Sequence, residues 1–315
     1  MRRRRVLLCV VVLALGYALL CGAGGVFVAE AALHPGRRVL LESDRQHAEL
    51  MAQRRDSHLA NVTVTTVDGT TLSGWIVRPR QGGPNFVMLL HGLSDNRMGM
   101  IGYAESFVSH GYNVLMADAR AHGTSGGELA SYGLVEANDI RRWVDWLRDH
   151  EHADCVYGFG ESMGAAQLLQ SLSVEDRFCG VIAESSFSTF REIAYDRVGQ
   201  AFHTGPWLGR SVLRPLVEVV FGYAKWKYKL DFERVSPDRA IALSHVPVFL
   251  IHGEDDSNIP VRHSRIIARD DPEVTLWIVP GAEHCGAISM AAREFEQRVV
   301  GFYVGHVAEH RASEP

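Results

Sequence analysis

The chain has 315 residues, 47% apolar and 22% charged, with a formal net charge of −5 at pH 7. This composition supports one sizeable globular core, excludes a low-complexity chain, and gives no reason to expect a nucleic-acid partner. No Cys-x-x-Cys, His-Glu-x-x-His or glycine-rich phosphate loop is present, so neither a metal nor an organic cofactor is implied.

The first 30 residues stand apart. Four arginines precede an uncharged run from Val6 to Ala29. About 20 apolar residues cross a bilayer as a helix, whereas a secretory apolar region is about 7–15 long. The length favours a retained single-pass anchor. The competing reading is a cleaved signal peptide, with Ala29-Glu30-Ala31 as the cut site and a secreted body. The arginines hold the N-terminus in the cytoplasm and the body outside it, a bias weakened by Arg37 and Arg38 beyond the span. Cys9 and Cys21 read as small apolar side chains. Bulky Leu20 before Cys21 argues against lipid attachment.

Residues 31–60 are polar and mixed in charge, a linker with a surface helix near Arg45 to Arg55. From Asn61 the pattern changes. Two alternating runs joined near Asp68-Gly69 predict a hairpin. Continuous apolar runs follow: FVMLLHG, NVLMADARAHG, CVYGFGES, CGVIAESS, VPVFLIHGEDD and VTLWIVPGAEH. Such runs suit strands buried on both faces of a parallel sheet. Between them lie helical patterns, clearest in Ile140, Trp143, Val144 and Leu147, one stripe at i, i+3, i+4, i+7. The alternation predicts an α/β fold, a mostly parallel sheet flanked by helices, over residues 61–308, with 309–315 as a tail. Polar residues just after each run should then meet at the carboxyl ends of the strands. Cys155 and Cys179 begin two successive runs, so a disulfide and two buried thiols are both open readings. About 60 residues between Ser186 and Val246, rich in Phe, Tyr and Trp, are too many for a structureless loop and predict a helical cap over about 187–245.

Gly160-Glu161-Ser162-Met163-Gly164, after a strand pattern and before a helix pattern, resembles the nucleophile elbow of the α/β-hydrolase superfamily. The resemblance runs from about Asn61 to His306. Within the superfamily it is similar to membrane-anchored bacterial esterase-like hydrolases and to serine aminopeptidase-like hydrolases. It implies Ser162 as nucleophile. His284, in the late loop VPGAEHCG, is implied as base in preference to His245, His252, His263 and His306. His252-Gly253-Glu254-Asp255-Asp256 through Pro260 resembles the family's acid loop and implies Asp256 as the third member, with Asp255 as runner-up. The order Ser, Asp, His is the family's. By the same carry-over the oxyanion donors are the backbone N–H groups of Leu93 and Met163. The loop from Asp118 to Ser125 resembles a family scaffold loop, with Ala121 where the family has glycine. His91 and His252, in His-Gly turns, read as loop ties, and Glu161 as a partner beneath the turn.

These residues predict a serine hydrolase cleaving a carboxylic ester, or a thioester, through an acyl-serine. The cap and the span point to an apolar or lipid-like acyl group as the small-molecule substrate. An aminopeptidase is the alternative; it needs an acidic group near the pocket, for which Glu128, Glu136 and Glu184 are candidates. A non-catalytic membrane-anchored binding protein is the reading from another class. The oligomeric state is not legible.

Overall fold

The computed structural model describes residues 2–269, 271 and 273–313. Eight strands form a single sheet: β1 (Ser57–Thr65), β2 (Thr71–Pro79), β3 (Phe86–Leu90), β4 (Asn113–Ala117), β5 (Val156–Glu161), β6 (Phe178–Glu184), β7 (Val248–Gly253) and β8 (Thr275–Val279). Their spatial order is β1-β2-β4-β3-β5-β6-β7-β8. The hairpin β1–β2 and the β2–β4 pair are antiparallel, and every later pair is parallel. The central strands are buried along their whole length, which is why they read as unbroken apolar runs.

In chain order the helices are α1 (Arg2–Leu33), α2 (Glu42–Arg54), α3 (Ile101–Ser109), α4 (Glu136–His150), α5 (Met163–Ser171), α6 (Phe190–Ala201), α7 (Trp207–Arg210), α8 (Arg214–Tyr223), α9 (Pro237–Ala242), α10 (Arg262–Arg269), α11 (Ala287–Met290) and α12 (Ala292–Ser313). Helices cover both sheet faces. Tyr103 and Phe107 of α3 and Phe295 and Tyr303 of α12 join one core. The α4 stripe of Ile140, Trp143, Val144 and Leu147 joins the other, with Leu168 and Leu169 of α5. Cys155 and Cys179, at the start of neighbouring parallel strands, form a disulfide.

Two boundaries differ from the sequence reading. Helix α9, at the end of the predicted cap range, packs on α5 and so belongs to the body, leaving α6 to α8 and the turns through Arg234 as the layer over the strand ends. Its Ile241 lies in the same core as α5, which the aromatic content upstream masked. The stretch after the apolar span is also no free linker. Leu33 is fully buried and accepts a hydrogen bond from the Ala130 amide, and Arg37 donates to the Ser125 and Gly127 carbonyls. The predicted tail from residue 309 continues α12 as far as Ser313; residues 314 and 315 lie outside the described part.

Helix α1 is, among the described residues, the one helix long and apolar enough to cross a membrane. Its first half is exposed apolar surface, while Cys21, Gly25, Ala29 and Leu33 are buried against the rest of the molecule.

Candidate active site

The carboxyl ends of β3, β5, β6, β7 and β8 gather the polar loops. The turn between β5 and α5 is the sharpest. Ser162 has φ 52° and ψ −116°, a strained conformation for a residue with a Cβ, and it stands as the N-cap of α5. The flanking glycines are demanded by close backbone approach. A Cβ on Gly160 would lie 2.6 Å from the Gly164 carbonyl oxygen, and one on Gly164 would lie 2.3 Å from the Leu90 carbonyl oxygen. No side chain fits either position, so the strand and helix can cross this tightly only with glycine at both.

Three distant side chains meet at this turn. The Ser162 hydroxyl lies 2.9 Å from His284 Nε2, and His284 Nδ1 lies 2.8 Å from Asp256 Oδ2. With Asp256 ionised, Nδ1 carries the proton and donates to it, so Nε2 is left as an acceptor facing the hydroxyl. Asp256 also accepts the Asn258 and Ile259 amides through Oδ1, and His252 Nε2 lies 3.3 Å from its Oδ2. Burial alone would raise this carboxyl, but hydrogen bonds from His252 and His284 outweigh it and hold the group well below the usual carboxylate range. Asp255, the runner-up acid, is exposed and makes no part of this chain of bonds.

The competing histidines are occupied elsewhere. His252 hydrogen-bonds to the Ser264 hydroxyl and the Ile259 carbonyl. His91 Nδ1 donates to the Gly92 carbonyl while Nε2 accepts the Ala119 amide, which ties down the loop carrying Leu93. Burial lowers His91 to about 4 and keeps it neutral. A second Ser-His-Asp cluster exists: His263 lies 3.0 Å from Ser188 Oγ and 2.7 Å from Asp196 Oδ2. It is sealed inside the protein, and His263 Nδ1 accepts the Ser188 amide, so it can serve no substrate. It fastens α6 to α10 instead.

Two further carboxyls lie beneath the elbow. Glu184 accepts from the Tyr103 hydroxyl and the Ala287 amide, and burial raises it. Burial and the neighbouring Glu184 charge raise Glu161 to about 7. Burial also pushes the Cys285 thiol far up, so the residue after His284 is no thiolate nucleophile. The Asp118 loop is a scaffold: Asp118 accepts the Arg97 and Thr124 amides and pairs with the Arg97 guanidinium, while Arg120 bridges Asp139 and Asp68. Ala121 sits there at φ 61°, the conformation for which glycine is suited.

Above the elbow is a cavity of about 490 Å³. Ser162, Leu93 and Met163 form its floor. Its walls include Phe187 and Phe190, Ile193 and Val198 of α6, Leu216 and Val220 of α8, and Phe27, Val28, Ala31 and Ala32 of α1. Arg197, bonded to the Asn258 carbonyl and to Gln200, is, among the described residues, the one charged side chain in the lining. Leu93 and Met163 are the two residues the sequence puts forward as oxyanion donors. Met163 opens α5, where amides have no intrahelical acceptor. Leu93 follows Gly92, where a Cβ would lie 3.5 Å from the Ser162 Cβ. The α1 residues of the wall and Arg197 went unnoticed in the sequence, although Cys21, Gly25, Ala29 and Leu33 recur every fourth position, the mark of a helix with one packed face.

A mostly parallel eight-stranded sheet whose fifth strand turns through a strained serine into a helix defines an α/β hydrolase. The comparisons agree: the model of the alpha/beta hydrolase family matches residues 87–298, and the chain belongs to that family. It is 29% identical to the uncharacterized protein YqkD of Bacillus subtilis over 238 residues, covering 74% of this chain and 75% of that protein. It is 27% identical to the uncharacterized protein YfhR of Escherichia coli, covering 73% and 74%. Among solved structures, the Pyrococcus furiosus esterase Pf2001 superposes with a TM-score of 0.68 at 26% identity, over 87% of this chain and 97% of the esterase. The esterase RhEst1 of Rhodococcus, at 18% identity and a TM-score of 0.56, shares the fold. Fold and family together support a hydrolase of small molecules.

Proposed function

We propose that the protein is a serine esterase that cleaves a carboxylic ester, or a thioester, through an acyl-serine. The observation that carries this reading is the unbroken hydrogen-bonded chain from Ser162 through His284 to Asp256 at the floor of an apolar cavity. The Ser162 oxygen attacks the ester carbonyl carbon, and its proton passes to His284 Nε2. The charge left on His284 faces Asp256, which keeps the ring in the required tautomer. The carbonyl oxygen, now negative, is received by the Leu93 and Met163 amides; one such donor is commonly worth about 10²–10³ in rate. Collapse breaks the ester C–O bond, and the departing alkoxide takes the proton back from His284. Water then repeats the sequence on the acyl-serine and releases the carboxylic acid. No metal or organic cofactor enters these steps.

An ester is favoured over an aminoacyl amide by the cavity lining. An aminopeptidase needs an acid to receive a free ammonium. Among the described residues the lining carries a cation, Arg197, and no carboxylate. Glu184 is buried beneath the elbow, and Glu136 is spent on Ser131 and on the Gly133 amide. Glu128 lies outside the lining. The similarity to an archaeal esterase points the same way.

Fluorophosphonate labelling of the full chain should place the adduct on Ser162 and be lost in Ser162→Ala. Hydrolysis of a short-chain nitrophenyl ester should fall by about 10⁴-fold or more in that variant, and by a similar factor in His284→Ala. Labelling elsewhere, or full activity in either variant, would move the nucleophile or the base to another residue, and absence of both labelling and hydrolysis in the wild-type chain would leave a binding protein with a hydrolase fold as the better reading.

A further inference from the structure

We propose that α1 is part of the substrate pocket as well as an anchor, and that the pocket is loaded from the bilayer with a long-chain acyl ester of a membrane lipid; this rests on the esterase reading above. The argument begins with the two faces of one helix. Cys21, Gly25, Ala29 and Leu33 lie on one face and are buried, Ala29 and Leu33 in the cluster that also holds Phe190, Val220 and Phe221 of the cap. Gly25 permits the contact: a Cβ there would lie 2.6 Å from the Val219 side chain and 2.8 Å from the Leu216 carbonyl oxygen. The adjacent face presents Phe27, Val28, Ala31 and Ala32 to the cavity. The attachment extends along the helix, since the Tyr17 hydroxyl donates to the Val212 carbonyl, and Tyr223, Lys227 and Tyr228 all hydrogen-bond to Glu30.

Helix length fixes where the bilayer ends. At 1.5 Å per residue, about 20 residues cross about 30 Å of hydrocarbon. The uncharged run from Val6 to Ala29 therefore reaches the membrane surface close to Phe27 and Val28, the first two α1 residues of the pocket wall. The span and the pocket wall are consecutive parts of one helix.

The rim of the cavity faces the same way. Phe27 is 74% exposed and Phe202 59% exposed although both line the cavity, which places them at its mouth. Beyond Phe202, the cap tip carries exposed Trp207 and Val212. The bond from Tyr17 holds this tip ten residues nearer the N-terminus of α1 than Phe27, on the side where the span lies. Ten residues are about 15 Å of helix, so exposed Trp207 and Val212 lie beside the outer half of the span and present apolar surface to its lipid. A mouth bounded by lipid-facing Phe27 and Phe202 admits an acyl chain without passage through water, and the apolar walls lead from there to Ser162.

The test uses the full chain reconstituted in phosphatidylcholine vesicles. One substrate is a soluble butyryl nitrophenyl ester. The other is a two-chain glycerolipid bearing a self-quenched fluorescent acyl ester, which does not pass between vesicles during the assay. Fluorophosphonate labelling counts active sites in every sample. Ala31→Trp and Val28→Trp fill the α1 wall and should lower the lipid-to-butyrate ratio of kcat/KM by at least about 10-fold. Leu13→Trp, on the exposed part of the same helix, should leave the ratio unchanged. If tryptophan impairs folding, Ala31→Leu should lower the ratio in the same direction. The lipid ester should be cleaved when it shares a vesicle with the protein, and at least about 10-fold more slowly when confined to separate vesicles. An unchanged ratio in both tryptophan variants overturns the wall, and equal rates in shared and separate vesicles overturn loading from the bilayer. Absence of both labelling and butyrate hydrolysis in the wild-type chain overturns the esterase reading itself, a distinct outcome.

Discussion

At the scale of single residues, the unusual feature of the site is the carboxyl next to the nucleophile. Glu161 is raised to about 7, first by burial and then by Glu184, so it is half ionised near neutrality. An acid raised in the folded state binds its proton more tightly there than in the unfolded chain. Its contribution is therefore fully present below the ordinary value of 4.5 and is lost as pH rises from there through about 7. Glu161→Gln mimics the protonated form at every pH. Chemical denaturation at pH 8 should find the variant more stable than the wild type by up to about 3 kcal/mol, at about 1.4 kcal/mol per pKa unit, with the difference shrinking as pH falls and gone below about 4. Equal stability at pH 8 would show that the carboxylate is fully compensated where it lies.

At the scale of elements, the α1–α8 contact is the least expected packing in the molecule. The Leu216 carbonyl oxygen that a Gly25 side chain would strike is backbone and cannot turn aside. Gly25→Leu should push α1 off the cap at a cost of about 1–3 kcal/mol. Limited proteolysis of reconstituted protein at Lys225, Lys227 and Lys229 should then be roughly 10-fold faster, the factor that corresponds to 1.4 kcal/mol of easier opening. Gly22→Leu, whose Cβ would meet nothing within 4 Å, should cleave at the wild-type rate. The two glycines differ by one turn of helix, and hydropathy cannot tell them apart. That is the limit of what the sequence carried. The apolar runs of β3 to β7 were legible because burial on both faces removes alternation, and Ser162 was legible because Gly160 and Gly164 bracket a backbone crossing. His284 was put forward by its place after the last strand, and Asp256 by the resemblance of the His252 to Pro260 loop, since chain order does not separate it from Asp255. The role of Phe27 to Ala32 could not, because an apolar helix reads as span whether it faces lipid, a cap or a substrate. For the same reason the aromatic stretch read as cap up to residue 245, although α9 turns back onto α5.

At the scale of the whole molecule, the span, the disulfide and the pocket wall constrain one another. Cleavage after Ala31 would remove Ala29 from the cap core, and with it Phe27, Val28 and Ala31 from the cavity wall. The cap cluster would open to water at the point where Glu30 now gathers Tyr223, Lys227 and Tyr228. We propose on this ground that the helix is retained, where the sequence weighed anchor against signal peptide. Disulfides persist in oxidising compartments, and Cys155–Cys179 closes across 24 residues of chain, a link typically worth about 3 kcal/mol. A body outside the cytoplasm, with the four N-terminal arginines inside, satisfies both requirements. The mature protein should accordingly sediment with membranes, resist extraction by alkaline carbonate, and give an intact mass that includes the residues before Ala31. Unfolded without reductant, it should leave Cys155 and Cys179 closed to maleimide, and both should react once reduced. A soluble product beginning at or after Ala31 would contradict the arrangement. Free thiols at both positions in membrane-derived protein would put the body on the cytoplasmic side and reverse the topology.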